Sequence, residues 1–353
     1  MKRIITIIAM TACAAVLMSS CQKSMPEKKA GVPLTIQASI VEPTGTKTIY
    51  EYDTESKTLE GYWNSEEAIT VVSFGNNGIT AVDKFTSVGE KGRTKAEFSG
   101  TWHGNEGDRV ICLYPAVDSY VGRSIFDDVS VGDSYIYMRD FSTPSAPLKH
   151  EDTGSVSDVD LMLGEVTVSG DVAHVYLKHL FAVFRIEVTL KNFSYEASAA
   201  SPYDMAKINT IRIKCVDPDT KMDDWDDPVF VVSSHLNVTT DDYNGYTGMP
   251  VTDEKRPLDY YLLTSGNDSD LYLTNREIEN GKVVEKTFFV PVRFDSDLKA
   301  GYKLHFQFGG NYFDYKTQSR EPITVFPNCD KQVTIEETLP LENGKIYNFR
   351  VTI

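Results

Sequence analysis

Tyr302, Leu304, Phe306 and Phe308 alternate with Lys303, His305 and Gln307. A period of two puts the first set on one face of an extended strand and the second set on the other. The same alternation runs through Leu34, Ile36, Ala38 and Ile40, and again through Tyr347, Phe349, Val351 and Ile353. Short runs rich in β-branched residues add further strands: AITVVSF (68–74), DRVICLYP (108–115), IRIKCV (211–216), PVFVVSS (228–234), DYYLLT (259–264), DLYLT (270–274) and TFFVPVRF (287–294). HVYLKHLFAVFRIEVTL (174–190) is too long for one ordinary strand. It reads as two strands or as one long bent strand. Between the runs lie turn signals such as FGNNG (74–78), VGEKG (88–92), HGNEG (103–107) and DDYNGY (241–246). No long window keeps a helical period, and SPYDMAKI (201–208) is the one candidate for a helical turn. Many short strands punctuated by Gly, Asn and Asp predict an all-β fold of sandwiches or barrels.

The first residues carry a different message. Lys2 and Arg3 precede an apolar stretch from Ile4 to Met18, and then come Ser19, Ser20 and Cys21. Positive, apolar and small is the layout of an export signal, and the apolar part is short for a membrane span. The cysteine at its end predicts a lipoprotein signal over 1–20 with lipidation at Cys21, Met18 standing where such signals usually carry Leu. The alternative is an ordinary secretory signal with an incidental cysteine. One acyl chain holds a protein only marginally, and two or three hold it firmly. Residues 21–31 contain no apolar run and read as a lipidated, flexible tether to the membrane.

Composition excludes some partners. The formal net charge is −16, and loss of the signal removes two cations and no anion. Such a chain is a poor partner for nucleic acid, whose phosphates require Lys and Arg. Three cysteines remain after Cys21: Cys112, Cys215 and Cys329. An odd number cannot all pair within the chain, and Cys112 and Cys215 sit in strand-like runs as core residues.

Catalytic signatures are sparse. The histidines at 103, 150, 174, 179, 235 and 305 form no two-histidine helical zinc motif. Neither a nucleophile elbow nor a phosphate loop is present, and the chain is expected to be a non-enzyme without cofactors. Asp217, Asp219, Asp223, Asp224, Asp226 and Asp227 crowd around Trp225. Calcium takes clustered carboxylate oxygens, so Asp217, Asp219 and Asp223 are weak candidate ligands. Lys221 and Met222 break the order of a calcium loop, and a solvated turn is the favoured reading. His179, Trp63 and Trp102 read as packing residues.

The chain is long enough for two domains. Residues 139–160 are polar and contain Pro144 and Pro147, after which strand patterning resumes. The expected division is a domain over 32–168 and a second over 169–353.

Several segments together resemble the fimbrillin family, the type V pilins and fimbrillin-like lipoproteins of Bacteroidota. They are Cys21; TKT (46–48) followed by WNSEEAITV (63–71); AEFSG (96–100) before GDRVICLYPA (107–116); DLMLG (160–164) before VYLKHLFAVFRIEV (175–188); and NGKIYNFRVTI (343–353). The resemblance implies two transthyretin-like β-sandwiches in tandem, assembly with other pilin-like subunits, and a place on the outer membrane or cell surface, within a fimbrium or in contact with host or bacterial surface ligands. It also implies a mechanism. A protease removes the first strand, here Leu34–Ile40, and a strand from the next subunit fills the groove by β-augmentation. The donor would be the last strand, with Tyr347, Phe349, Val351 and Ile353 as its inward residues. Two departures weigh against a stalk role. Cleavage in such pilins commonly follows arginine, yet no Arg lies between Cys21 and Arg93, and Lys47 is the candidate basic site. The chain also stops soon after GKIYNFRVTI, where many stalk subunits continue. An anchor, accessory or terminal subunit is therefore expected. The competing expectation is a monomeric surface lipoprotein that binds glycan or host protein through its loops.

Overall fold

The computed structural model describes residues 31–40, 49–53, 58–63, 67–76, 78–88, 95–114, 116, 135–138, 148, 162–166, 172–191, 201–221, 226–237, 251–255, 257–261, 271–326 and 329–353. Cys21, the signal, Lys47 and Asp223 lie outside them. The chain is all-β. Its strands run β1 (Val32–Ile40), β2 (Ile49–Asp53), β3 (Thr58–Tyr62), β4 (Ala68–Gly75), β5 (Gly78–Val88), β6 (Lys95–Trp102), β7 (Arg109–Tyr114), β8 (Tyr135–Met138), β9 (Met162–Val166) and β10 (Val172–His179). They continue as β11 (Ala182–Leu190), β12 (Met205–Val216), β13 (Val231–Asn237), β14 (Val251–Lys255), β15 (Leu258–Tyr261), β16 (Leu271–Thr274), β17 (Val284–Val292), β18 (Lys303–Asp314), β19 (Ser319–Ile323), β20 (Asp330–Thr334) and β21 (Ile346–Thr352). One short helix, α1 (Asn275–Glu279), follows β16. Among the described residues no helix is long and apolar enough to cross a membrane.

Seven strands close into a ring in the order β1-β10-β9-β7-β4-β5-β6. Where the sequence predicts a first sandwich, the hydrogen-bonded strands form one closed barrel, which leaves no free edge. Its interior holds Leu34, Ile36, Ala38, Trp63, Phe85, Phe98, Cys112, Tyr114, Val175 and Leu177, among others. Trp63 meets Phe98 and Tyr114 edge-on, each with ring centroids 5.2 Å apart. The two kinds of strand pattern in the sequence now have a cause. β10 alternates buried and exposed residues because only its inner face is covered. β4 and β7 read as unbroken apolar runs because both of their faces are buried.

The second body is a sandwich. A sheet ordered β17-β11-β21 shares one core with the sheet built from β15, β12, β18 and β19, to which β16 and β20 add. Phe184, Phe349 and Phe306 bridge it, with Phe349 4.8 Å from Phe184 and 5.2 Å from Phe306 between ring centroids. β12 is a central spine of it and is fixed at both ends by buried carboxylates. Asp204 accepts from Ser201 N at 2.6 Å, Tyr312 OH at 2.7 Å and Tyr315 N at 2.9 Å. Asp227 accepts from Cys215 N at 2.7 Å and from Val229 N and Phe230 N at 2.8 Å each. β12 and β18 slip register between Ile208 and Thr210, opposite Gly309 and Gly310. A Cβ at Gly310 would lie 2.0 Å from Lys207 O, so the close backbone approach requires glycine there.

The division at 168 falls between β9 and β10, which pair with each other through Lys178↔Leu163. The sheets change instead between His179 and Ala182, so the long run 174–190 is two strands in two sheets. The ring takes two strands, β9 and β10, from beyond the polar stretch 139–160. β8 also crosses the expected division by pairing with β13. SPYDMAKI is not helical: Asp204 ends a turn and β12 begins at Met205.

Candidate functional site: the first and last strands

The residues singled out from the sequence fall on two strands, β1 and β21. β1 runs parallel to β10 and β21 runs parallel to β11, a geometry that requires a long connection rather than a hairpin. β1 lies beside β10 with Thr35↔Val172 through Ile40↔Leu177 in register. Leu34, Ile36 and Ala38 point into the ring and are 3 %, 0 % and 0 % exposed. Ile40 pairs with Leu177, and its side chain lies outside the described residues. On the ring's other side β6 closes against β1, and Gln37 Nε2 donates to Glu97 Oε1 at 3.0 Å across that seam. β1 is thus paired along both edges. A single cut on its C-terminal side separates it in sequence from every other described strand.

β21 lies beside β11, with Val183↔Ile346 through Thr189↔Thr352 in register. The parallel ladder is anchored at its ends: Val183 N donates to Lys345 O at 2.8 Å, Ile353 N to Thr189 O at 2.8 Å, and Lys191 N to Ile353 O at 2.6 Å. Alternation along the strand then turns the backbone groups of Tyr347, Phe349 and Val351 toward β11 and those of Asn348, Arg350 and Thr352 away. Among the described residues no strand pairs with that outer edge.

The expected donor residues are therefore seated in their own body. Val351 and Ile353 are buried, and Tyr347 and Phe349 pack on the same core. Tyr347 OH donates to Pro340 O at 2.8 Å and accepts from Glu342 N at 2.9 Å. Outside, Arg350 Nε donates to Glu187 Oε2 at 2.6 Å, and Arg185 donates to Glu187 as well. The hydrogen bond from Arg185 leads the effects that hold the Glu187 carboxyl below its usual range. The turn before β21 fits the NGK signal. Gly344 has φ +80°, and its N donates to Phe181 O at 2.7 Å. A Cβ on it would lie 3.4 Å from Cδ2 of the buried His179.

The remaining candidates are scattered. Asp217 holds its own turn, accepting from Asp219 N at 3.0 Å and Thr220 Oγ1 at 2.9 Å, while Asp227 faces inward under β12. His103 bonds Asp83 at 2.6 Å, and His305 bonds Asp330 at 3.0 Å, in different bodies. Cys112, Cys215 and Cys329 are buried free thiols, and burial pushes the Cys112 and Cys329 thiols each up to about 12. Trp63 and Trp102 are core residues, the latter donating from Nε1 to Ser73 Oγ at 2.9 Å. Sequence reading missed one surface feature. Tyr203 and Tyr315, about half exposed, stand with ring centroids 5.2 Å apart above Asp204. Each lies in a separate turn, so only the fold brings them together.

No protein-family model matches the chain, and no characterised protein matches it in sequence. Solved structures do. One is a Bacteroides uniformis protein provisionally assigned to cell adhesion, at 12 % identity and TM-score 0.42, covering 93 % of this chain and 94 % of that one. A second, from Bacteroides ovatus and with the same provisional assignment, is 12 % identical at TM-score 0.39, covering 92 % and 93 %. A fimbrial protein from Bacteroides ovatus is 9 % identical at TM-score 0.32, covering 92 % of this chain and 50 % of its own. The structures this chain is similar to thus include proteins provisionally assigned to cell adhesion and a fimbrial protein.

Proposed function

We propose that this chain is a structural lipoprotein of the cell envelope, a fimbrillin-like pilus component or adhesin. Lipid on Cys21 holds it to the outer membrane or cell surface, and neighbouring subunits join it by strand exchange at the place of β1. It performs no chemistry on a substrate. The observation that carries this reading is the position of β1: the first of the described strands, which is also a full stave of a closed barrel. Its removal would open a slot between β10 and β6, with two ladders of unpaired backbone groups and an apolar floor. Such a slot accepts an extended strand and little else.

The seating of β21 favours an anchor, accessory or terminal role over a stalk role. A strand that fills its own sandwich must first leave it to serve a neighbour. The mature N-terminus on cells tests the reading. A start at acylated Cys21 marks a retained subunit, and a start at Thr48 marks a processed one. Cys21→Ser should release the protein from membranes, and continued membrane retention would refute the lipid anchor. An SDS-resistant ladder on unboiled gels supports assembly, whereas a monomer band alone refutes it.

The exposed pair Tyr203 and Tyr315 favours a second reading, a monomeric surface lipoprotein that binds glycan or protein. Ring faces that project from turns on a rigid sheet suit such contacts.

A further inference from the structure

The ring ends where β10 ends, at His179, and the sandwich opens where β11 begins, at Ala182. The ring's last pair on β10 is His179↔Met162, and the first pairs on β11 are Ala182↔Val292 and Val183↔Ile346. Leu180 and Phe181 between them are 5 % and 2 % exposed. A connector usually runs over the surface, where water satisfies its backbone, and a buried one needs partners from the protein. Here they come from the far end of the chain. Gly344 N donates to Phe181 O at 2.7 Å, and Val183 N donates to Lys345 O at 2.8 Å. The turn ahead of β21 thus grips the connector where it enters β11. Side chains close the same joint. His179 and Phe181 meet edge-on with ring centroids 5.9 Å apart, and Gly344 lies against His179 with no Cβ in the way. Phe181, Val183 and Phe289 form a small buried cluster, apart from the cores of ring and sandwich, and Ile346 packs on it.

The turn is braced by β21 itself. The Tyr347 ring packs on the sandwich core, 6.0 Å from Phe184 between centroids, while its hydroxyl donates to Pro340 O and accepts from Glu342 N. Lys345 N donates to Glu342 O at 3.3 Å, and Lys345 Nζ to Glu342 Oε1 at 2.6 Å. We infer that the turn 342–346 is a latch on the joint between ring and sandwich. While β21 is seated, the connector is held and the two bodies keep one relative orientation. When β21 lifts, Phe181 O and Val183 N lose their partners, and residues 180–181 become a hinge. Seating of β21 and stiffness of the joint are then one equilibrium, and a neighbour that draws β21 out frees the hinge. This goes beyond the proposed function and holds whether or not β1 is exchanged.

The test uses the full mature chain with Cys21→Ser and spin labels at Val82→Cys and Val333→Cys, exposed positions of the ring and the sandwich. Cys112, Cys215 and Cys329 are buried and stay unlabelled. Electron–electron distance measurements should give one narrow ring-to-sandwich distribution in this parent. Gly344→Ala places a Cβ at φ +80° and against His179, and Tyr347→Phe keeps the ring in the core but deletes the hydroxyl that holds the turn. Both should widen the distribution while both unfolding transitions remain. Gly344→Ala should also speed amide exchange at Val183 roughly tenfold, the effect of one alanine held left-handed. Val351→Ala weakens the same strand at its other end and should leave the distribution narrow. A broad distribution in the parent overturns the latch, and so does a narrow one in both turn variants with Val183 exchange unchanged. A narrow one despite faster exchange overturns it as well and assigns the stiffness to the ladder between β8 and β13. Equal widening in Val351→Ala overturns it by making the whole strand, not its turn, responsible.

Discussion

β1 and β21 are both terminal, parallel and apolar on one face, yet they are held in opposite ways. β1 is paired on two edges but carries modest side chains, Leu34, Ile36 and Ala38. β21 is paired on one edge but carries Tyr347 and Phe349, which lock into rings from both sheets of its sandwich. Backbone ladders hold the first, and side-chain packing holds the second. Ladder bonds can be returned in kind by any incoming strand, whereas the packing of β21 is specific to its own body. Under the proposed function, that difference is what suits β1 to exchange.

The largest expected effect comes from deleting 346–353. It removes Val351 and Ile353 from the core and leaves Phe184 and Phe306 without the ring between them. The second body should lose its cooperative unfolding transition while the ring keeps its own. Two intact transitions in the deletion variant would mean that β21 is dispensable in its own body and free to serve another. Next in size, Ile36→Ala should cost about 2–5 kcal/mol, as for a fully buried aliphatic side chain. Val351→Ala removes less and should cost about 1–3 kcal/mol. Denaturant midpoints for each body check the order.

A pH scan separates the two bodies further. Burial pushes the Asp227 carboxyl from the ordinary 3.8 up to about 7, against the three backbone N–H groups and Lys214, which pull it down. The folded chain then keeps a proton that the unfolded chain has released. Stability of the second body should therefore fall as pH rises between about pH 5 and 7. Asp227→Asn keeps an acceptor beneath Val229 and Phe230 and should flatten that slope, with little change in the ring. A wild-type slope of the opposite sign would place the carboxyl low and show that its three hydrogen bonds outweigh burial.

Much of this was legible beforehand because period two depends on covering one face. Leu34–Ala38, β18 and β21 were readable for that reason, and the described side chains of those inward sets are buried or partly buried. The boundary was not legible. β10 looks no different whether it begins a second domain or pairs back onto β9, since closure of a ring leaves no mark on a single strand's pattern. The seating of β21 was hidden in the same way: alternation says which side chains turn inward, but not whose core they enter. Tyr203 and Tyr315 were out of reach because their turns are far apart in sequence and meet only through Asp204.

The smallest effects probe the open edge of β21. Asn348, Arg350 and Thr352 turn their backbone groups to the side that no described strand covers, whereas the amides of β1 face a ladder on either side. Amide exchange should therefore be fast at those three positions and slow throughout β1, even where β21 is the better packed strand. The outer ion pair adds little. Arg350 is largely exposed, and its bond to Glu187 at 2.6 Å is screened by solvent. Arg350→Ala should cost less than about 1 kcal/mol, and raising salt should shrink even that. Glu187 is held low, so its share of stability is present near neutral pH and lost as pH falls through its lowered range. A cost of several kcal/mol for Arg350→Ala would show that the edge of β21 is fixed by charge, and that packing alone does not explain why this strand stays home.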